Sequence, residues 1–169
     1  MLSETMTNAI NDQIKWELYS GYMYLSMSAY FSDLGLNGFA HWMRLQGQEE
    51  LEHAMKFYDF VLERGGKITL QAVDAPPNAW QSPLDAFEET LKHEQLVTSR
   101  INDLVNMAID ERDHATNIFL QWFVTEQVEE EASVGEAVDK LKLVGEGGEG
   151  LFMIDKEMGM RTMSAAEAA

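Results

Sequence analysis

From Phe39 to Phe60 the chain repeats on a helical period. Its inward line reads Phe39, Trp42, Gln46, Glu50, His53, Phe57 and Phe60, in steps of three and four residues. At the middle of that line, where Leu or Ile would suit a packed core, stand a carboxylate and an imidazole one turn apart. Burying such groups without partners is unfavourable by several kcal/mol or more. Glu-x-x-His on a buried helix face presents an oxygen and a nitrogen to a metal ion. A single copy equally describes a core histidine bonded beside a glutamate, so the other helices decide between the two.

Residues 4 to about 33 form a first helix whose line runs Ile10, Ile14, Glu17, Gly21, Tyr24, Ser28, Phe31. Gly35 is its expected stop and Asn37 the expected cap of the next helix, which runs to about Arg64 before Gly65-Gly66. Lys67 to Ser82, with Pro76-Pro77, is longer than a tight turn needs and can travel the length of a bundle. Ser82-Pro83 opens helix three with a cap, a first-turn proline and nearby acids. Its line is Leu84, Phe87, Leu91, Glu94, Thr98, Ile101, Val105. A polar turn at Asp110–Asp113 leads to helix four, with Leu120, Phe123, Gln127, Glu130, Val134, Ala137 and Leu141 inward. Gly145-Glu146-Gly147-Gly148 breaks the pattern, a short fifth helix follows over about 149–163, and the tail from Ser164 is expected to be loose.

Helices of roughly 28 residues span about 40 Å. The expected fold is all-α: a four-helix bundle over about 4–143, with one long crossover between helices two and three. A short C-terminal fifth helix completes a single domain over 1–169. The net charge of −17 argues against nucleic acid as a partner and suits a protein that attracts cations. No apolar run approaches the length of a membrane span. The N-terminus lacks the basic start and apolar block of a secretory signal, and cysteine is absent, which together suggest the cytoplasm.

Every long helix thus interrupts its apolar line with metal-type groups: Glu17; Glu50 and His53; Glu94; Gln127 and Glu130. Taken singly, each is an ordinary hydrogen-bonded core residue. Together, four carboxylates meeting in one core need counter-charge or strongly raised pKa values. No Lys or Arg falls on the inward lines, whereas two divalent cations balance four carboxylates. Oxygen-rich ligation with one histidine suits iron or manganese better than structural zinc.

On these residues, with Tyr24 two turns beyond Glu17, the long crossover and the short fifth helix, the chain resembles a ferritin of the bacterial non-haem type over essentially its whole length. The resemblance implies an enzyme, a ferroxidase, which oxidises Fe(II) with O2 or H2O2 and stores ferric mineral inside a homo-oligomeric cage of 24 subunits. Glu17, Glu50 and His53 would bind one iron, and Glu50, Glu94 and Glu130 the second, with Gln127 shaping the second site. Glu49, Glu126 and Glu129, with Glu130, resemble a third iron site; a solvated acidic face describes them about as well. Tyr24 would support the site and donate an electron, or simply bond a carboxylate such as Glu94; Trp122 is a weaker candidate. Haem is not expected, because helix four offers Gln127 and Glu130 rather than a second Glu-x-x-His and Leu51 follows Glu50.

Two other readings stay open: a passive metal buffer, and a diiron oxidase of an organic substrate. His41, His93 and His114 are expected at the surface or at helix ends. Met153, Met158, Met160 and Met163 are expected to pack helix five against neighbouring subunits. Asn117 and Leu120 stand where animal ferritins place acids in a three-fold channel.

Overall fold

The computed structural model describes residues 1–145 and 147–163; the tail from Ser164, expected to be loose, lies outside the described residues. Among the described residues, five helices follow one another: α1 (Glu4–Asp33), α2 (Asn37–Glu63), α3 (Pro83–Asp110), α4 (His114–Val144) and α5 (Gly148–Met158). Among the described residues there is no strand. None of the helices is long and apolar enough to cross a membrane.

Local chemistry sets the helix ends. Ser3 Oγ accepts the Met6 N–H at 2.9 Å, Ser82 Oγ that of Asp85 at 3.1 Å, and Asp113 Oδ1 that of Thr116 at 3.1 Å. Three helices close with the same six-to-one bond, from the N–H of Leu36 to Phe31, of Gly66 to Val61, and of Asp113 to Ala108. The residues that make the left-handed turn are Gly35, Gly65 and Arg112, with φ of 75°, 71° and 56°. Asn37 is not the cap expected of it: α2 begins at Asn37 itself, and Leu36 before it makes no side-chain capping bond. The cap arrives from α5, whose Asp155 Oδ1 accepts the Phe39 N–H at 2.9 Å.

The crossover is extended and tied to α1 at two levels. Asn11 donates to Lys67 O at 2.8 Å and accepts the Thr69 N–H at 2.9 Å, while Ser26 donates to Pro77 O at 2.6 Å. Fifteen helical residues separate Asn11 from Ser26, about 22 Å of rise. The connection therefore carries the chain back along the bundle, so α3 runs antiparallel to α1 and pairs with α4.

Packing divides the interior into three layers. One apolar cluster, built around Met27, Phe31, Phe39, Trp42 and Phe87, fills the end near α5. A second, around Ile10, Ile14, Phe57, Ile101, Leu120 and Phe123, fills the other end. Between them lies a waist of buried polar side chains. Gly21 and Gly47 allow α1 and α2 to touch there: a Cβ on either would lie 3.1 Å from the carbonyl oxygen of the other.

Three further expectations need correction. The core face of α3 is rotated from the expected line: Ala86, Thr90, Val97 and Leu104 are buried, while Leu84, Leu91, Thr98 and Val105 are half-buried. A helix wedged between two neighbours buries a broad stripe, and a strict three-four line follows only one side of it. Helix α5 covers Gly148–Met158 rather than extending to 163; Gly159 ends it, and Met158 packs into its own chain's core. Leu120 is fully buried in the second cluster, so it cannot line a channel.

Candidate metal centre

The waist gathers the groups that interrupt the four apolar lines. Glu17 comes from α1, Glu50 and His53 from α2, Glu94 from α3, and Gln127 and Glu130 from α4, and all six are buried. One ligand atom from each of Glu17, Glu50 and His53 fits within a 4.8 Å cluster, and so does one from each of His53, Glu126 and Glu130. His53 Nδ1 is 3.4 Å from Glu50 Oε2 and 4.0 Å from Glu17 Oε2. Glu17 Oε2 is buried and accepts no hydrogen bond from the described residues. A buried polar oxygen left in that state is unfavourable, and a cation beside His53 and Glu50 would satisfy it. Hard oxygen donors with a single imidazole fit divalent iron.

Glu94 stands outside both three-residue clusters. Its Oε1 accepts the Tyr24 hydroxyl, and its Oε2 lies 3.2 Å from the Gln127 amide nitrogen, which also reaches Glu94 O and Thr98 Oγ1. The expected Tyr24–carboxylate bond is therefore present. Burial pushes the Glu94 carboxyl up to about 8, and the Glu130 charge adds to it; the Tyr24 and Gln127 hydrogen bonds act the other way. Glu50 is also held well above the carboxylate range, first by burial, with His53 partly offsetting and Glu94 and Glu17 reinforcing. Burial and then the Glu94 charge keep Tyr24 protonated far above its ordinary range. The metal-free centre thus carries protons that a cation would displace.

The outer acids sit beside this centre. Glu49 is buried, Glu126 half-buried and Glu129 exposed. With Glu130 and Arg161 they border a cavity of about 130 Å³. Glu126 leans further inward than a purely external site would require, since it can approach His53 and Glu130. Trp122 lies edge-on to His53, with ring centroids 5.4 Å apart.

His93 and Gln13 lie off the inward lines, and Gln46 lies on its line with no role expected of it. His93 is buried rather than superficial: its Nε2 lies 2.7 Å from Ser20 Oγ, and its ring meets Tyr24 edge-on at 6.1 Å. Burial lowers its pKa to about 4, so it is a neutral packing partner. Its position between Thr90 and Val97, on the second buried line of α3, was the available signal. His41 and His114 are exposed as expected, although His41 Nε2 lies 2.9 Å from Arg161 O. Gln13 and Gln46 are buried and donate to site carboxylates, each backed by an arginine. Gln13 stands four residues before Glu17 and Gln46 four before Glu50, a spacing that places each on the site's face.

An all-helical bundle whose waist draws carboxylates and one imidazole from four helices defines the class of carboxylate-rich metal bundles. The sequence model of the family described as "Ferritin: Ferritin-like domain" matches residues 7–144. A bacterial non-heme ferritin of Bacteroides fragilis is 46% identical over 161 residues, covering 95% of this chain and 100% of that protein. One from Escherichia coli O157:H7 is 40% identical over 158 residues, 94% of this chain and 96% of that protein. The solved open-pore ferritin of the hyperthermophilic archaeon Archaeoglobus fulgidus aligns with a TM-score of 0.95 at 56% identity, covering 96% of this chain and 100% of that one. The chain belongs to the ferritin family of iron-storage proteins.

Proposed function

We propose that this chain is the subunit of a 24-subunit storage cage whose waist oxidises Fe(II) as substrate. The observation that carries the reading is the convergence of Glu17, Glu50, His53, Glu94 and Glu130 in a buried layer, with Glu17 Oε2 accepting no hydrogen bond from the described residues. Glu17, Glu50 and His53 take one Fe(II), and Glu50, Glu94 and Glu130 the other, with Glu50 between them. Gln127 holds Glu94, and Tyr24 stands ready as a proton or electron donor at the second ion. Two Fe(II) ions give one electron each to O2, which with two protons leaves as H2O2. With H2O2 as oxidant, two Fe(II) and two protons yield two waters. The carboxylates favour the ferric product because their charge is hard and negative.

The second site lacks a histidine of its own and passes its ion on more readily. Glu49, Glu126 and Glu129, with Glu130, form a third site on the route inward. The −17 charge supplies a field that concentrates cations. Phe152 and Met153, exposed on α5, supply apolar surface for assembly. The compartment that fits this reading is the cytoplasm.

Metal-free protein mixed with Fe(II) in air tests the activity. Oxygen consumption above the protein-free rate is expected; a rate equal to the control leaves a passive metal buffer. Gel filtration tests the assembly, where a particle of cage size is expected and a small oligomer would favour an oxidase acting on an organic substrate.

A further inference from the structure

Two arginines outside the waist reach it through buried glutamines. Arg100 on α3 donates from Nε to Gln13 Oε1 at 3.1 Å, and Gln13 Nε2 donates to Glu17 Oε1 at 2.7 Å. Arg161, just beyond α5, donates to Gln46 Oε1 at 2.7 Å, and Gln46 Nε2 donates to Glu130 Oε2 at 2.6 Å. Each arginine spends a second nitrogen on an acid, Asp12 for Arg100 and Glu49 for Arg161. Each also stacks on a tryptophan, with the guanidinium 4.8 Å from the Trp16 centroid and 4.3 Å from that of Trp42. The two arrangements are built alike, although Gln13 and Glu17 share a helix whereas Gln46 and Glu130 do not.

We propose that Arg100 and Arg161 are positioning residues, one for each iron of the pair described above, and the inference rests on that reading of the waist. Arginine can only donate, so it obliges each glutamine to turn its amide oxygen outward and its amide nitrogen towards the carboxylate. The carboxylate then has one oxygen fixed by an N–H. At Glu17 the fixed oxygen is Oε1, and the one left without a hydrogen bond from the described residues is Oε2, on the side of His53. Fixing one oxygen and presenting the other is what outer partners of metal ligands do. The two relays end on different carboxylates, Glu17 of the first site and Glu130 of the second. They therefore tune the two ions separately. Arg161 has an additional effect, because its fork occupies Glu49 and places an internal cation against the outer acids.

Anaerobic Fe(II) titration calorimetry on the full chain, compared among variants, tests the relays without reference to turnover. Arg161→Gln is expected to weaken the second site by about ten- to hundredfold and leave the first unchanged. Arg100→Gln is expected to do the reverse. Gln46→Leu, which leaves the Arg161–Glu49 pair in place, is expected to reproduce the loss at the second site. Arg161→Lys keeps the charge but cannot serve Gln46 and Glu49 with one planar fork, so it falls between. Thermal unfolding of each metal-free variant reports folding separately. Equal weakening of both sites by either arginine variant, or unchanged affinities in folded variants, would overturn the relays alone. Absence of Fe(II) binding by the wild-type chain would overturn the waist as a metal site, and the relays with it.

Discussion

Glu94 is the residue whose protonation gives the most direct handle on the centre. Its pKa of about 8, against an ordinary 4.5, follows from complete burial beside Glu130. On the proposed reading, an ion entering the second site must expel that proton. At pH 6.5, about 1.5 units below the pKa, the expulsion opposes binding by roughly 2 kcal/mol, or about thirtyfold. Second-site affinity for Fe(II) should therefore rise roughly tenfold per pH unit up to about 8 and then level off. The same proton controls the stability of the metal-free protein. A group whose pKa is raised on folding contributes fully below the unfolded value, and that contribution fades as pH climbs through the folded one. Between about pH 5 and 8.5, metal-free protein should lose on the order of a few kcal/mol, seen as a falling unfolding temperature. Anaerobic calorimetry in buffers of different ionisation enthalpy counts the released protons, and Glu94→Gln should remove the Glu94 share of the release and most of the pH slope at the second site. Affinity that stays flat from pH 6 to 8.5, with no proton release, would refute the reasoning.

Three further outcomes are expected. Glu130→Ala should weaken the second site by more than the roughly ten- to hundredfold that an outer partner contributes, and the first site far less; equal losses in anaerobic titration would contradict the assignment. Tyr24→Phe removes a hydrogen bond that lowers the Glu94 pKa, so the midpoint of proton release should move up by about one to two pH units. Gly47→Ala places a methyl 3.1 Å from Gly21 O, where backbone cannot yield, and should lower stability by about 1–3 kcal/mol in thermal unfolding while loosening the Glu17–Glu50–His53 grouping.

The four long helices were legible because each carries an apolar period, and α3 also begins at a cap that its sequence marks, Ser82 before Pro83; the caps Ser3 and Asp113 are seen only in the structure. The start of α2 was not legible, because the oxygen that caps it belongs to Asp155, 116 residues away. Its approach also needs Gly38, where a Cβ would fall 1.6 Å from Asp155 O. The end of α5 has a related cause. Gly159 ends the helix short of 163, and the chain beyond it is held by Arg161, which bonds to Gln46 and Glu49 on α2. In both places a long-range contact decides what local propensity leaves open.

The same distinction separates the parts of the centre. A glutamate on an apolar line is anomalous wherever the helix goes, because burial makes its charge unfavourable, so Glu17, Glu50, Glu94 and Glu130 could be found from periodicity. Arg100 and Arg161 carry no such mark. Each is only partly buried, with 24% and 20% of its side chain exposed, and each lies on a surface position whose long stem reaches inward. Their effect on the waist passes through Gln13 and Gln46, whose amides are legible as buried polar groups but not in their orientation. That orientation follows only once a donor-only partner stands on one side and a carboxylate on the other. The charges that enter the core are thus a property of the helix faces, whereas the charges that steer them are a property of how the helices and the segment beyond α5 are assembled.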